Sequence, residues 1–210
     1  MTGPEPGVLP VSGQTGGNYY DKYGSRNPVV RRLMAGYFDT FDRLVAKTGA
    51  RSAIEVGCGE GHLSIRLAQA GLKVRACDVS AEVIDQARRN AAQAGVDIPL
   101  GTADIYSLSP ETDGAELVIC CEVMEHLDSP QKAFDVLCRL ASPYLIVSVP
   151  REPLWRALNM ARGRYWSELG NTPGHVQHWS TTGLVNFIGA RATILEIVTP
   201  TPWTFVLCRV

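Results

Sequence analysis

The chain has 210 residues, 45% apolar and 20% charged, and its 20 Lys plus Arg against 21 Asp plus Glu leave a net charge of −1. These values exclude overall disorder, and the near balance of charge provides no field for a nucleic acid or an anionic membrane surface. The length fits one domain with a full hydrophobic core, and no apolar stretch approaches the roughly 18 residues of a membrane-spanning helix. The start, MTGPEPGVLP, lacks the basic and apolar segments of a secretory signal, so the expected compartment is the cytoplasm. The six cysteines lie mostly in apolar runs without a C-x-x-C pair, which reads as buried free thiols.

Residues 1–18, rich in Gly and Pro, read as a disordered leader, and 19–210 as one domain with a helical cover over 19–50. The apolar positions Val30, Leu33, Met34, Tyr37, Phe38, Phe41, Leu44 and Val45 predict one helix from Pro28 to about Lys47, capped by Asn27. Ser52–Gly57 reads as a buried strand, Gly61–Ala70 as a helix and Lys73–Asp78 as a second strand. Ser80 caps a helix that stops at Gly95, and Ile98–Asp104 is a weaker strand. Glu116–Cys121 is a strong buried strand, Pro130–Leu140 an amphipathic helix and Tyr144–Val149 another buried strand. Residues 151–178, rich in Arg, Trp and Gly, break this rhythm and read as an inserted lid. Ser180 caps a helix to about Ile188, and two alternating strands, Thr193–Val198 and Thr204–Val210, close the chain as an antiparallel pair. The pattern predicts an α/β, Rossmann-like, doubly wound sheet of seven strands, mostly parallel with an antiparallel last strand, plus the lid after strand five. Ligands of such sheets bind beyond the carboxyl ends of the strands.

The first of those ends carries Glu55-Val56-Gly57-Cys58-Gly59-Glu60-Gly61, a G-x-G-x-G turn rather than the G-x-G-x-x-G of dinucleotide sites. Glycines let the backbone approach a ligand, and the carboxylate of Glu55 accepts from an ammonium but repels a pyrophosphate. The turn therefore suits a zwitterionic, amino-acid-like ligand. Asp78 ends the second strand, where a carboxylate accepts from both hydroxyls of a ribose. Asp104 and Ile105 follow the third strand and suit the exocyclic amine and the flat face of a purine.

The runs AIEVGCGEGHLSIRLA, ACDVS, TADI and ELVICCEVMEHL resemble the class I S-adenosylmethionine-dependent methyltransferases, the small-molecule, ubiquinone-type enzymes among them. The resemblance covers about residues 50–150 and implies the strand order 3-2-1-4-5-7-6. It implies S-adenosyl-L-methionine as the cofactor and S-adenosyl-L-homocysteine as the product. Glu55, Gly57 and Gly59 would line the methionine part, Asp78 would hold the ribose and Asp104 with Ile105 the adenine, and Val79 would also contact the cofactor. Cys121 and Glu122 would sit near the sulfonium. The segments around Tyr20 and Arg31 are similar to the N-terminal cover of small-molecule methyltransferases, in which a Tyr or Arg closes over the cofactor.

Three of the four histidines, His126, His175 and His178, follow the fourth and fifth strands and are expected on the rim toward which the methyl group points. Imidazole, with a pKa near about 6.5, suits a general base that takes the proton of a hydroxyl acceptor. The expected reaction is O-methylation of a small molecule, with N- or C-methylation as alternatives. A further alternative rests on Glu122, Glu125, His126 and His175, whose pattern is similar to metal-dependent 2′-O-methyltransferases of RNA 3′ ends; the same E-x-x-E-H-L is found in metal-free methyltransferases, and no metal is assigned. A non-catalytic cofactor-binding module is disfavoured by this polar cluster. The lid holds Arg151, Arg156, Arg162 and Arg164 among Trp155, Tyr165 and Trp166, which suits an anionic, glycosidic or aromatic acceptor. Neither nucleic acid nor membrane is expected as a partner, and the chain is expected to be a monomer or homodimer.

Overall fold

A computed structural model describes residues 25–210. The leader over 1–18 and Tyr20 lie outside the described residues. Helix α1 (Pro28–Thr48) starts where the Asn27 side chain accepts from the Val29 amide at 2.9 Å, and it ends on Gly49 in the left-handed region. Then follow β1 (Ser52–Val56), α2 (His62–Gln69), β2 (Lys73–Asp78), α3 (Ala81–Gln93) and the short β3 (Leu100–Thr102). A one-turn α4 (Pro110–Asp113) leads to β4 (Ala115–Cys121), α5 (Pro130–Leu140) and β5 (Ala141–Pro150). The lid carries α6 (Leu154–Ala161), and the chain finishes with α7 (Thr181–Gly189), β6 (Thr193–Val198) and β7 (Trp203–Arg209). No helix among the described residues is long and apolar enough to cross a membrane.

The sheet order is β3-β2-β1-β4-β5-β7-β6, as the resemblance implied. β1 pairs in parallel with both β2 and β4, so the order reverses there and a crevice opens past their carboxyl ends. β7 runs antiparallel to β5 and to β6. Alternate residues of the central strands face two separate cores. Val118, Cys120, Val147 and Val206 pack with Phe134 and Leu137 of α5 and Leu184 of α7. Leu117, Ile119, Ile146 and Phe205 pack with Tyr37 and Phe41 of α1 and Leu67 of α2.

The last strand departs from the expected alternation. Residues 203–208 are all buried, because insertion between β5 and β6 gives both faces of β7 a helical cover. The alternating pattern holds for β6, the sheet edge, where Leu195 and Ile197 are exposed. Phe134 is fully buried beneath the sheet. Phe134→Ala is expected to cost about 3–5 kcal/mol in equilibrium denaturant unfolding, while Leu195→Ala should stay within about 0.5 kcal/mol of the parent.

Candidate active site

The turn after β1 is built from left-handed glycines: Gly57 at φ 76°, Gly59 at 53° and Gly61 at 81°. A Cβ on Gly57 would lie 2.3 Å from the Val123 side chain, so that position is closed to any other residue. A Cβ on Gly59 meets nothing within 4 Å, so the backbone there borders open space. The amides of Gly57 and Cys58 both donate to the Cys77 carbonyl, which ties the turn to the end of β2. Asp78 completes the tie: one carboxylate oxygen accepts from the Gly59 amide at 2.9 Å and the other from the Ser80 amide at 3.0 Å. A carboxylate has about four acceptor sites, so capacity for two ribose hydroxyls remains.

Glu55 is 3% exposed, and one of its oxygens accepts from the Ser64 hydroxyl. Burial pushes its carboxyl up to about 8, against the Ser64 hydrogen bond and with help from the charge of Asp78. Past β3, Asp104 caps a short 3-10 turn by accepting from the Tyr106 amide at 3.0 Å, and Ile105 packs beneath it.

Past β4 the chain takes up strain. Glu122 sits at φ 60°, a left-handed position rare for a residue with a side chain. Its amide donates to the Ser148 carbonyl, and its carboxylate accepts from the Ser148 hydroxyl at 3.0 Å and from the Trp203 indole N–H at 2.7 Å. The neighbouring Cys121 is buried, which pushes its thiol up and keeps it neutral. The next residues form another 3-10 turn, Met124–His126, with the Glu125 side chain 2% exposed. The Glu125 carbonyl accepts from the Val176 and Gln177 amides, which draws the end of the lid onto this loop. His126 Nδ1 lies 3.0 Å from the Gly174 carbonyl, an atom that only accepts. In the neutral ring that contact assigns the proton to Nδ1 and the lone pair to Nε2. The rings of His126 and His175 meet edge to face at 4.8 Å. Ligand-type atoms of Glu125, His126 and His175 all lie within 4.8 Å of one another.

One cavity of about 1260 Å³ takes in all these groups. Glu55, Gly57, Gly59, Asp78, Val79, Asp104, Ile105, Cys121 and Glu122 line it, together with His126 and His175. His178 is not among the lining residues; its Nε2 pairs with the Asn171 side-chain oxygen at 2.9 Å. Arg31 is likewise absent from the wall, because the inward stripe of α1 is Val30, Leu33, Met34 and Tyr37 and Arg31 falls on the exposed face. Among the lining residues that the sequence did not mark for the site are Tyr37, Tyr106 and Trp203. The apolar periodicity of α1 marked Tyr37 as inward, but only the insertion of β7 beside β5 sets Trp203 against Glu122.

A family model described as a methyltransferase domain matches residues 53–144. A ubiquinone biosynthesis O-methyltransferase of Xylella fastidiosa is 30% identical over 126 residues, 60% of this chain and 50% of that protein. One of Coxiella burnetii is 32% identical over 93 residues, 44% of this chain and 40% of its own. The chain thus spans half or less of the length of these relatives. Among solved structures, magnesium protoporphyrin IX methyltransferase from Synechocystis with bound SAH superposes with a TM-score of 0.68 at 23% identity, covering 89% of both chains. The N-methyltransferase NodS from Bradyrhizobium japonicum gives 0.65 at 19% identity, covering 85% of this chain and 96% of its own. With the sheet order and the glycine turn in place, residues 53–144 match the methyltransferase-domain family, and the fold is that of the solved methyltransferases.

Proposed function

We propose that the protein transfers a methyl group from S-adenosylmethionine to a hydroxyl of a small molecule, with His126 or His175 taking the acceptor proton. The observation that carries this reading is that one cavity joins the Gly57–Asp78 turn to the Glu125–His126–His175 cluster. The residues present fit the cofactor. The open space at Gly59 admits a ligand against the backbone, and the buried carboxyl of Glu55 offers an acceptor to an ammonium. Asp78 has acceptor capacity for a ribose. When bound, S-adenosylmethionine supplies a methyl group on a positively charged sulfur, open to in-line displacement.

The chain's own part is to orient the acceptor and to hold its proton. Glu122, clamped by Ser148 and Trp203, keeps a carboxylate on the cavity wall at the end of β4. His126, anchored through Nδ1 to the Gly174 carbonyl, carries its lone pair on Nε2. A general base in this position is worth about 10²–10⁴-fold in rate. The O-methyltransferase names of the sequence relatives support an oxygen acceptor.

A second reading concerns the same cluster. Glu125, His126 and His175 offer three ligand atoms close enough to hold one divalent cation. Three protein ligands leave coordination positions for acceptor oxygens, whose protons a cation would acidify. The two readings differ in their response to a chelator.

Three outcomes test the proposal. Asp78→Ala should weaken binding of S-adenosylhomocysteine by at least tenfold in calorimetry, since each charge-assisted hydrogen bond lost is worth about 1.5–3 kcal/mol. Unchanged affinity with an intact circular dichroism spectrum would remove Asp78 from the site. His126→Ala and His175→Ala should lower turnover, the base by about 10²-fold or more, while S-adenosylhomocysteine still binds. Chelator-insensitive activity favours the histidine base, whereas loss restored by added Mg²⁺ or Mn²⁺ favours the cation. For Glu55, the folded-state value of about 8 lies above the ordinary 4.5, so the folded form holds a proton that the unfolded chain gives up. The stability this group contributes is intact below about pH 4.5 and is lost as pH rises through about 8. Denaturant midpoints of the free protein should fall over that window, and Glu55→Gln should flatten the fall.

A further inference from the structure

The carboxylates that line the cavity all come from β1 and from the strand ends and loops that follow β1 to β4, between Glu55 and Asp128. The part of the wall built by α1 and the lid contains no carboxylate among the described residues. It holds one guanidinium, that of Arg162 at the end of α6. The other lid arginines are placed differently. Arg156 is spent inside the lid, donating through Nε to the Leu169 carbonyl at 2.9 Å, and Arg151 and Arg164 are not among the lining residues.

Arg162 is held by a buried polar run. Its guanidinium donates to the Asn159 side-chain oxygen at 2.6 Å. Asn159 is 2% exposed, and its amide nitrogen donates to the Gly170 carbonyl at 2.8 Å and to the Thr172 hydroxyl oxygen at 3.1 Å. With both donor positions used, the Asn159 oxygen can turn only toward Arg162. The same Thr172 oxygen accepts from the Trp155 indole N–H at 2.9 Å. Trp155 in turn lies nearly parallel to His175, at 25° and 6.1 Å between centroids. Trp155, Leu158, Asn159 and Arg162 all line the cavity, at the i, i+3, i+4, i+7 spacing of one helix face. At 1.5 Å per residue that face runs about 10 Å. One wall therefore carries, in order, an imidazole, a flat indole and a fixed cation.

We propose that Arg162 binds an anionic group of the acceptor, and that Asn159 is its positioning residue. The acceptor is a molecule with a hydroxyl at one end, a flat or apolar body against Trp155 and Leu158, and a carboxylate or phosphate at the other end. This inference rests on the methyltransferase reading of the same cavity and adds the chemistry of the acceptor's far end. A guanidinium presents a rigid fork that matches the oxygens of both anions, and its prior fixation by Asn159 reduces what ordering it costs on binding.

The test is calorimetry on the protein saturated with S-adenosylhomocysteine, using 4-hydroxycinnamate, its methyl ester and the matched 2-(4-hydroxyphenyl)vinylphosphonate as probes. The wild type should bind the acid at least tenfold more tightly than the ester. Arg162→Gln should remove that preference and leave the affinity for the ester unchanged. Asn159→Ala should weaken the acid and spare the ester, whereas mere loss of lid packing would weaken both. The better bound of carboxylate and phosphonate names the anion. Equal binding of acid and ester by wild type, a preference that survives Arg162→Gln, or no binding by either anion would overturn the inference. S-adenosylhomocysteine is titrated first. If it binds and the anion preference is missing, only this inference falls; if it does not bind, the functional reading falls as well.

Discussion

The parallel ladders that β1 makes with β2 on one side and β4 on the other are the constraint on which the rest of the site depends. Because both neighbours run in the same direction, the carboxyl ends of all three strands finish on one rim. The registers Val56 with Cys77 and Asp78 with Thr102 bring the glycine turn, Asp78 and Asp104 within reach of one ligand. The glycines answer to the same constraint. A chain that leaves β1 and turns back under Val123 has no room for a Cβ at Gly57 and needs left-handed dihedrals at three positions.

Glu122 shows how the second half of the sheet acts on the first. A left-handed residue with a side chain costs on the order of 1–3 kcal/mol, and it persists where its surroundings over-determine it. Here they do so through Ser148 on β5 and Trp203 on β7, which hold the amide and both carboxylate oxygens. The antiparallel strand that ends the chain is thus more than a sheet closure. It supplies the indole that aims a carboxylate into the cavity, and Tyr37 of α1 packs on that indole at 4.8 Å. The cover helix, the last strand and the end of β4 are therefore one packed unit.

The 151–178 insert is tied to the loop after β4 by a different route. The amides of Val176 and Gln177 donate to the Glu125 carbonyl, and the Gly174 carbonyl faces His126. The end of the 151–178 insert and the His126 ring are thereby tied to the same loop. Along the other branch, Thr172 joins Trp155 to Asn159 and so to Arg162. Every member of this branch belongs to the 151–178 insert, apart from the sheet-borne half of the cavity.

Much of this was written in local pattern. Apolar spacing, caps and glycine stops marked α1, α3 and α5 within a residue or two, since each depends on neighbours three or four positions away. The G-x-G-x-G turn and Asp78 were legible for the same reason, being tied to strand ends that the apolar runs reveal. The burial of β7 was not, because its two-sided cover comes from helices far away in the chain. Histidine placement divides along the same line. His126, His175 and His178 all stand in loops after strands four and five, yet the first two line the cavity and His178 pairs with Asn171 away from it. Arg156 and Arg162 belong to the same insert, yet Arg162 bonds to Asn159 on the cavity wall and Arg156 to the Leu169 carbonyl. The sequence by itself determined the elements, their order and the glycine turn after β1, because short-range sterics and periodicity act within a few residues. Which polar side chains of the lid and of the final strand face the cavity was decided only by tertiary packing, because their partners are supplied by distant segments of the chain.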